Sequence, residues 1–333
     1  MSIDKNKELP GRFNLELQRE SLKSFQKEFS NEQKISDNQT AAYTVSYPEF
    51  NLESDIILSE STRIQLHEAV TKIRFHKKIY EEWNFGSVDK QGKSVILNFY
   101  GLPGTGKTLT AEAFAGTLKS PIIKLGIAEL ESKFMGETSK NIQQVFKLAS
   151  QEQAVLFFDE ADTLLGKRLS AVTQGIDNEV NAMRSTLLIE LEKFEGIVIF
   201  ATNFAKNYDE AFRSRISHHI LFELPDEECR KALWSKMLVN EIPLHETREE
   251  IITLAANLSN GFSGREIRTC MRLALPKAIL EAEQNAVPAV LKLEHIKEVI
   301  EKVKQAKKDI ANTNNSMSSA DRSAAKSLLG LNN

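Results

Sequence analysis

The sequence predicts an α/β protein with a parallel five-stranded sheet sandwiched by helices, followed by a small all-helical domain. Short apolar runs alternate with helical patterns from residue 95 onward, and only helical patterns remain after Pro225. This alternation is typical of a parallel sheet with helices on both faces. The strand candidates are 95–100, 121–125, 154–158, 197–201 and 219–224, and the later helix candidates are 227–239, 248–258, 264–282 and 293–306.

A glycine-rich octapeptide stands between the first strand candidate and a helical pattern. Residues 101–108 read GLPGTGKT, which fits the phosphate-binding P-loop pattern. The glycines let backbone N–H groups approach phosphate oxygens, and the following helix N-terminus adds partial positive charge. We expect Lys107 to reach the β- and γ-phosphates of ATP and the Thr108 hydroxyl to bind Mg²⁺. The predicted nucleotide-binding residues here are Pro103, Gly104, Thr105, Gly106, Lys107, Thr108 and Leu109.

A second motif is the apolar run 155–158, which ends in the carboxylates Asp159 and Glu160. Ligands of parallel sheets lie beyond the carboxyl ends of the strands, where these two side chains emerge. We expect Asp159 to hold Mg²⁺ and Glu160 to polarise the attacking water. Solvated acids at strand ends are common, so the two carboxylates indicate a catalytic site only because a P-loop precedes them. Together the motifs predict hydrolysis of a nucleoside triphosphate.

Composition and charge exclude several classes of protein. The 333 residues include 43 basic and 46 acidic side chains, and a net charge of −3 gives no drive towards nucleic acid or anionic membrane. No apolar run approaches the roughly 20 residues that span a bilayer. Cys229 and Cys270 lie far apart, which disfavours a disulfide framework or a zinc site. We therefore expect a cytoplasmic protein with no membrane partner and no nucleic-acid partner.

The chain divides into four segments. Residues 1–46 form a polar arm, in which the amphipathic stretch 13–25 leaves a mobile arm and a partner-binding helix both open. Residues 47–225 form the α/β domain and residues 226–306 the helical domain. The tail 307–333 is rich in Asn, Ser, Ala and Lys and is predicted to be flexible, with 324–331 able to form one short helix.

With these motifs in place, the chain resembles the AAA+ ATPases from about residue 56 to 306, and the helical domain resembles their lid. Residues 201–203 (ATN) are similar to the sensor 1 segment, which implies that Asn203 orients the water beside Glu160. Residues 212–216 (FRSRI) resemble the arginine-finger segment. The resemblance implies that Arg213 or Arg215 reaches the γ-phosphate of a neighbouring subunit in a homo-hexamer. A pair of surface arginines is the alternative.

Two further positions follow from the same resemblance. Arg265 follows Ser-Gly at the start of a helix, where sensor 2 of many AAA+ proteins contacts the γ-phosphate from the lid. Proteasomal and meiotic members have alanine there, whereas the pachytene-checkpoint remodellers keep Ser-Gly-Arg. An exposed first-turn residue is the alternative for Arg265. Ile56 and Ile57 correspond to the segment that packs on adenine, with helix-core packing as the alternative.

Residues 131–137 (ESKFMGE) resemble the first pore loop of AAA+ protein translocases. Phe134 and Met135 offer apolar contact that tolerates many sequences, and with Lys133 they would grip a polypeptide. The alternative is that Phe134 anchors the loop in the core. Residues 167–177 would form the second pore loop.

These resemblances imply an ATP-hydrolysing hexameric remodeller, or unfoldase, that threads a protein client through a central pore. Similarity to the pachytene-checkpoint type implies a HORMA-domain client, and bacterial relatives of that type serve in antiphage signalling. Two alternatives stay open, a DNA-associated AAA+ ATPase and a general unfoldase that feeds a separate peptidase.

Overall fold

A six-stranded sheet organises the first part of the chain in the computed structural model, which describes residues 43–89, 94–126, 138–166, 175–203 and 208–328. The strands are β1 (Val45–Ser46), β2 (Val95–Gly101), β3 (Ile122–Gly126), β4 (Val155–Asp159), β5 (Ile197–Thr202) and β6 (His218–Phe222). Their order across the sheet is β1-β3-β4-β5-β2-β6. All neighbouring pairs are parallel except β1 and β3, which are antiparallel.

The strand register brings three carboxyl ends together. β4, β5 and β2 are consecutive neighbours, with Phe158 opposite Phe200 and Tyr100 opposite Thr202. The chain therefore leaves these three strands at one edge of the sheet, which is where parallel sheets place their ligands.

Two apolar cores lie on opposite faces of the sheet because successive strand residues point to opposite sides. Leu156, Phe158 and Phe200 belong to one core, and Val155 and Phe157 belong to the other. The helices of this part are α1 (Glu60–Arg74), α2 (Lys107–Leu118), α3 (Thr138–Glu152), α4 (Asp162–Leu165), α5 (Gly175–Lys193) and α6 (Glu210–Arg213). The first core includes residues of α3 to α6, and the second includes residues of α1 and α2.

Four helices follow the sheet and enclose a core of their own around Trp234, Phe262 and Met271. They are α7 (Glu227–Met237), α8 (Arg248–Leu258), α9 (Gly264–Asn285) and α10 (Leu293–Leu328). Among the residues with a described conformation, no helix is both long and apolar enough to cross a membrane.

The predicted α/β architecture is confirmed, since all five predicted strands are present within two residues of their expected ends. Two details differ from the prediction. The sheet has a sixth strand, the antiparallel two-residue β1, which makes it mixed. α10 continues to Leu328, where the sequence predicted a tail from residue 307, because no Gly or Pro interrupts the helical pattern before Gly330.

Trp234 provides a test of the helical core. Its side chain is 0% exposed and its Nε1–H donates to Ser259 Oγ at 2.9 Å. We expect Trp234→Phe to lower the free energy of unfolding by about 2 kcal/mol, because it removes buried area and leaves the Ser259 oxygen without its donor. Thermal denaturation followed by circular dichroism measures the change.

The matched control is Trp83→Phe, at a side chain that is 69% exposed. A surface exchange of this kind changes stability by less than about 0.5 kcal/mol. Equal shifts of the denaturation midpoint in the two variants would contradict the structural role given to Trp234.

Candidate functional site

The P-loop crosses the edge of the sheet between β2 and α2. Gly101 has a φ of 144°, and a Cβ there would collide with the Phe222 carbonyl of β6. Gly104 has a φ of 79°, and a Cβ there would lie 2.8 Å from Arg265 Cβ. The loop therefore requires glycine for two reasons, its left-handed backbone and the close approach of neighbouring elements. α2 begins at Lys107 and directs its free N–H groups towards this loop.

Lys107 is the buried cation of the site. Its Nζ donates to the carbonyl oxygens of Gly101 (2.7 Å) and Leu102 (3.0 Å) and to Asn203 Oδ1 (3.0 Å). Burial lowers the pKa of Lys107, and the negative charges of Asp159 and Asp162 oppose this shift. The sensor 1 candidate Asn203 and the P-loop lysine are thus in direct contact.

The acidic residues predicted for catalysis lie beside the start of α2. Thr108 Oγ1 donates to Asp159 Oδ2 at 3.1 Å, so the two predicted magnesium ligands are neighbours. Glu160 has a φ of 54°, which directs the chain away from β4, and its backbone N–H donates to Asp159 Oδ1 at 3.0 Å. The Glu160 side chain is exposed to the cavity between sheet and lid. A carboxylate, a hydroxyl and an ammonium therefore meet at one edge of the sheet.

The lid covers this edge from the opposite side. Ser263 caps α9, since its Oγ accepts from Glu266 N–H while its own N–H donates to the Glu266 carboxylate. The Arg265 N–H donates to the Gly104 carbonyl at 3.2 Å, which joins the first turn of α9 to the P-loop. Arg265 therefore lies where a lid residue meets the phosphate loop.

The cavity between sheet and lid has a volume of about 610 Å³, enough for a nucleotide. It brings together all predicted nucleotide-binding residues, both predicted metal ligands and three of the five predicted catalytic residues. These are Ile56, Ile57, Pro103, Gly104, Thr105, Gly106, Lys107, Thr108, Leu109, Asp159, Glu160, Asn203 and Arg265. Ile56 also packs against a core of the sheet, so it lines the cavity and contributes to the core at the same time.

The sequence did not indicate the apolar lid residues that line the cavity. Leu233 and Met237 of α7 are among them, and Lys236 Nζ between them in the sequence donates to the Asp55 carbonyl at 2.6 Å. Apolar residues four positions apart are typical of the buried face of any helix. No sequence signal therefore distinguishes these two cavity residues from ordinary core residues. The full set that the sequence missed is Phe50, Asp55, Leu58, Ser59, Thr62, Phe222, Glu223, Leu224, Pro225, Cys229, Leu233, Lys236, Met237, Gly264 and Arg268.

The arginine-finger candidates do not line this cavity, and their surroundings differ. Arg213 ends α6 with a side chain that is 68% exposed, 3.8 Å from Glu210. The Arg215 side chain is 30% exposed, pairs with Glu192 and donates to the Ala211 carbonyl at 2.6 Å. Arg213 is the more accessible of the two for a neighbouring molecule.

The predicted pore-loop residues Lys133, Phe134 and Met135 lie outside the described residues, as does most of the predicted second pore loop. Their roles stay predictions from the sequence. Where side chains are described, no group of three or more His, Cys, Asp or Glu could hold a metal ion.

Fold and cavity together define a P-loop nucleotide-binding domain with a helical lid. Residues 97–224 match the family model described as AAA, the ATPase family associated with various cellular activities. Residues 97–224 therefore resemble the AAA ATPases in sequence, and the fold around them is that of an AAA domain.

Two curated relatives and one solved structure agree with this assignment. The ATPase family AAA domain-containing protein FIGL1 of Arabidopsis thaliana is 31% identical over 59% of this chain and 29% of its own length. The proteasome-activating nucleotidase of Methanopyrus kandleri is 33% identical over 65% of this chain and 50% of its own length. The FIGL-1 AAA domain in complex with ADP has the same fold, with a TM-score of 0.63 and 21% identity over 80% of this chain and 88% of that one. The chain thus spans half or less of these two curated relatives.

Gly104→Ala tests the contact between P-loop and lid. The added Cβ would lie 2.8 Å from Arg265 Cβ and 2.9 Å from Ser263 Oγ, so the first turn of α9 must move away. We expect nucleotide affinity to fall about tenfold, because overpacking at such a contact costs about 1–3 kcal/mol. Titration with a fluorescent ADP analogue measures the affinity.

Gly261→Ala is the matched control. Gly261 has nearly the same φ, 78°, but a Cβ there meets nothing within 4 Å. Both variants carry the backbone strain of alanine in the left-handed region, about 1–2 kcal/mol, and only Gly104→Ala carries the collision. If both variants bind ADP with equal affinity, the lid contact has no role in binding.

Proposed function

We propose that this chain is an ATP-driven protein remodeller that works as a ring of identical subunits. The observation that carries the proposal is the convergence of Lys107, Asp159, Glu160 and Asn203 on one cavity beneath the lid. A protein that only binds nucleotide needs the phosphate loop but no carboxylate beside the γ-phosphate position. The additional carboxylate favours hydrolysis, ATP + H₂O to ADP and phosphate.

The residues of the cavity have separable roles in this reaction. Glu160 accepts a proton from water as the water oxygen bonds to the γ-phosphorus, and the bond from that phosphorus to the bridging oxygen of ADP breaks. Lys107 stabilises negative charge on the phosphate oxygens, and Asn203 orients the water. The hydroxyl and carboxylate oxygens of Thr108 and Asp159 suit Mg²⁺, which prefers such hard ligands beside substrate phosphates. When bound, Mg²⁺ neutralises charge on the phosphate oxygens.

In the ring, a neighbouring subunit adds a further cation to those of the cavity. Arg213 is exposed and lies away from its own cavity, which favours a role at the nucleotide of a neighbour. A head-to-tail contact of this kind closes into a ring when its rotation closes. Six subunits follow from the AAA+ resemblance, and the cysteine usage favours a cytoplasmic location.

The client is a protein chain that the ring pulls through its centre. This part rests on the similarity of residues 131–137 to a gripping pore loop. The relatedness to a proteasome-activating nucleotidase favours a second candidate, an unfoldase that delivers clients to a separate peptidase. The finer proposal, a HORMA-domain client in an antiphage signalling system, rests on the Ser263-Gly264-Arg265 segment alone.

Glu160→Gln tests the hydrolytic role. We expect ATP turnover to fall by about 10²–10⁴-fold, because the amide cannot accept the proton of the attacking water. ATP affinity should stay unchanged, since the P-loop is intact. Phosphate release and nucleotide titration measure the two quantities, with Glu152→Gln at the exposed end of α3 as a control that keeps full turnover. Intact turnover in Glu160→Gln would remove this residue from the mechanism.

The same variant also tests the client, because a ring arrested with ATP should retain it. Capture from the native host followed by mass spectrometry would identify a HORMA-domain protein, another folded protein or a peptidase. Stimulation of the wild-type turnover by DNA, with no response to any captured protein, would favour the DNA-associated alternative instead.

Phe134→Ala tests the gripping role. We expect ATP binding and assembly to persist while unfolding of the captured client falls at least tenfold, because an aromatic side chain provides most of the sequence-tolerant contact area. A fluorescence assay of client unfolding measures the loss, and Phe134→Tyr should restore it. Normal client unfolding by Phe134→Ala would show that this residue does not grip the client.

A further inference from the structure

A polar network with two buried members, Asn98 and Thr202, connects the nucleotide cavity to the segment that carries Arg213, while its other members, Tyr208 and His219, are half-buried and exposed. Asn98 stands fully buried in the middle of β2, and its Nδ2 donates to Tyr208 Oη at 3.0 Å and to His219 Nδ1 at 3.3 Å. Tyr208 Oη and Thr202 Oγ1 are 2.8 Å apart. The network therefore joins β2, β5 and β6 through side chains, in a region where the other strand residues are apolar.

One end of the network reaches the floor of the nucleotide cavity. Thr202 directly precedes Asn203, whose Oδ1 accepts from Lys107 Nζ at 3.0 Å. The Asn203 N–H donates to the Asp162 carboxylate at 3.2 Å. The end of β5 is thus held at two successive residues, at Thr202 by Tyr208 and at Asn203 by Asp162 of α4.

The other end of the network leads to α6. Tyr208 forms a bridge with Gly166, and the next residue, Asp209, donates its N–H to the Leu165 carbonyl at 2.8 Å. Asp209 then caps α6, and its carbonyl accepts the Arg213 N–H at 3.1 Å. Because α6 has only one turn, the position of Tyr208 and Asp209 decides the position of Arg213.

His219 connects the network to the charge of Arg213. Its ring stacks on Tyr208, with centroids 6.1 Å apart and planes inclined by 14°. Burial lowers the pKa of His219, and the positive charge of Arg213 lowers it further. In the neutral tautomer that carries its proton on Nε2, Nδ1 accepts from Asn98, which is the arrangement that the contact requires.

We propose that Tyr208, with Asn98 and His219, is a positioning residue for Arg213, fixing the one-turn helix from which this arginine reaches the nucleotide of a neighbouring subunit. This inference rests on the proposed ring and on the proposed role of Arg213. The physical reason is that buried polar groups tolerate few arrangements, since each lost hydrogen bond costs about 1–3 kcal/mol. The tyrosine hydroxyl therefore has one favourable position. This position fixes where the following segment, Asp209 and α6, begins.

Tyr208→Phe removes the hydroxyl and keeps the ring. We expect ATP turnover to fall roughly tenfold with unchanged ATP affinity, because a small misplacement of a catalytic group lowers the rate without altering ground-state binding. Tyr47→Phe, at a solvent-exposed tyrosine, is the matched control with full turnover. An equal loss of ATP affinity in Tyr208→Phe would overturn the inference in favour of a role in its own cavity.

A double variant distinguishes positioning from a general structural effect. If Tyr208 acts through Arg213, adding Tyr208→Phe to Arg213→Ala lowers turnover no further, because the two effects are coupled. A further tenfold loss in the double variant overturns the inference. Should Tyr208→Phe fail to fold, as judged by its denaturation midpoint, His219→Ala takes its place in the same cycle with the same expected outcomes.

Mixed rings separate this inference from the proposed function. Glu160→Gln subunits lack hydrolysis but keep Arg213, so they can complete the site of an Arg213→Ala neighbour. In an equal random mixture of the two variants, about a quarter of the head-to-tail sites combine Glu160 of one subunit with Arg213 of its neighbour. Turnover should therefore recover to about a quarter of the wild-type value. No recovery with Arg213→Ala overturns the proposed role in trans, and the inference with it. The same mixture is made with Tyr208→Phe in place of Arg213→Ala. Recovery of turnover with Arg213→Ala but not with Tyr208→Phe overturns this inference and leaves the proposed function standing.

Discussion

The buried ammonium group of Lys107 is the interaction on which the rest of the site depends. A charge removed from water is costly unless hydrogen bonds and opposite charges surround it. Here two loop carbonyls and Asn203 accept its protons, while Asp159 and Asp162 supply negative charge. These groups come from β2, β4 and β5 and from the segments that follow them, so the placement of one cation requires three strands to end together.

The strand order meets this requirement. β5 lies between β4 and β2, and Thr202 pairs with Tyr100 in the register, so the next residues, Asn203 and Gly101, leave the sheet side by side. A displacement of β5 by one residue would point Asn203 to the other face of the sheet and away from Lys107. The apolar residues of β5 that face both cores fix this register, and core packing thereby positions the amide of Asn203 against Lys107.

The sheet and the phosphate-binding part of the cavity could be predicted from the sequence because both rest on local patterns. The runs that became β2, β4 and β5 are continuous and apolar, and GLPGTGKT has a fixed backbone function. The short strand β1 escaped prediction because two residues, Val45 and Ser46, carry no periodicity, and its partner lies far along the chain. The apolar lid residues of the cavity escaped prediction for a related reason. Leu233 and Met237 face the nucleotide position only because the lid folds over the P-loop, a contact made through the Arg265 N–H and the Gly104 carbonyl.

The position of Asn98 is unfavourable for stability, and this argues for a role beyond packing. A leucine at this position of β2 would bury apolar surface and would need no hydrogen-bond partners. Instead, among the side chains that the structure describes, Asn98 Oδ1 has no hydrogen-bond partner, which costs about 1–3 kcal/mol. Departures from the packing rules occur where function requires them. The amide of Asn98 is compensated in part by Tyr208, which joins the end of β5 to α6, and by His219 of β6. A stability cost at the centre of the sheet therefore coincides with the connection between the cavity and Arg213, the arginine that we propose acts at a neighbouring subunit.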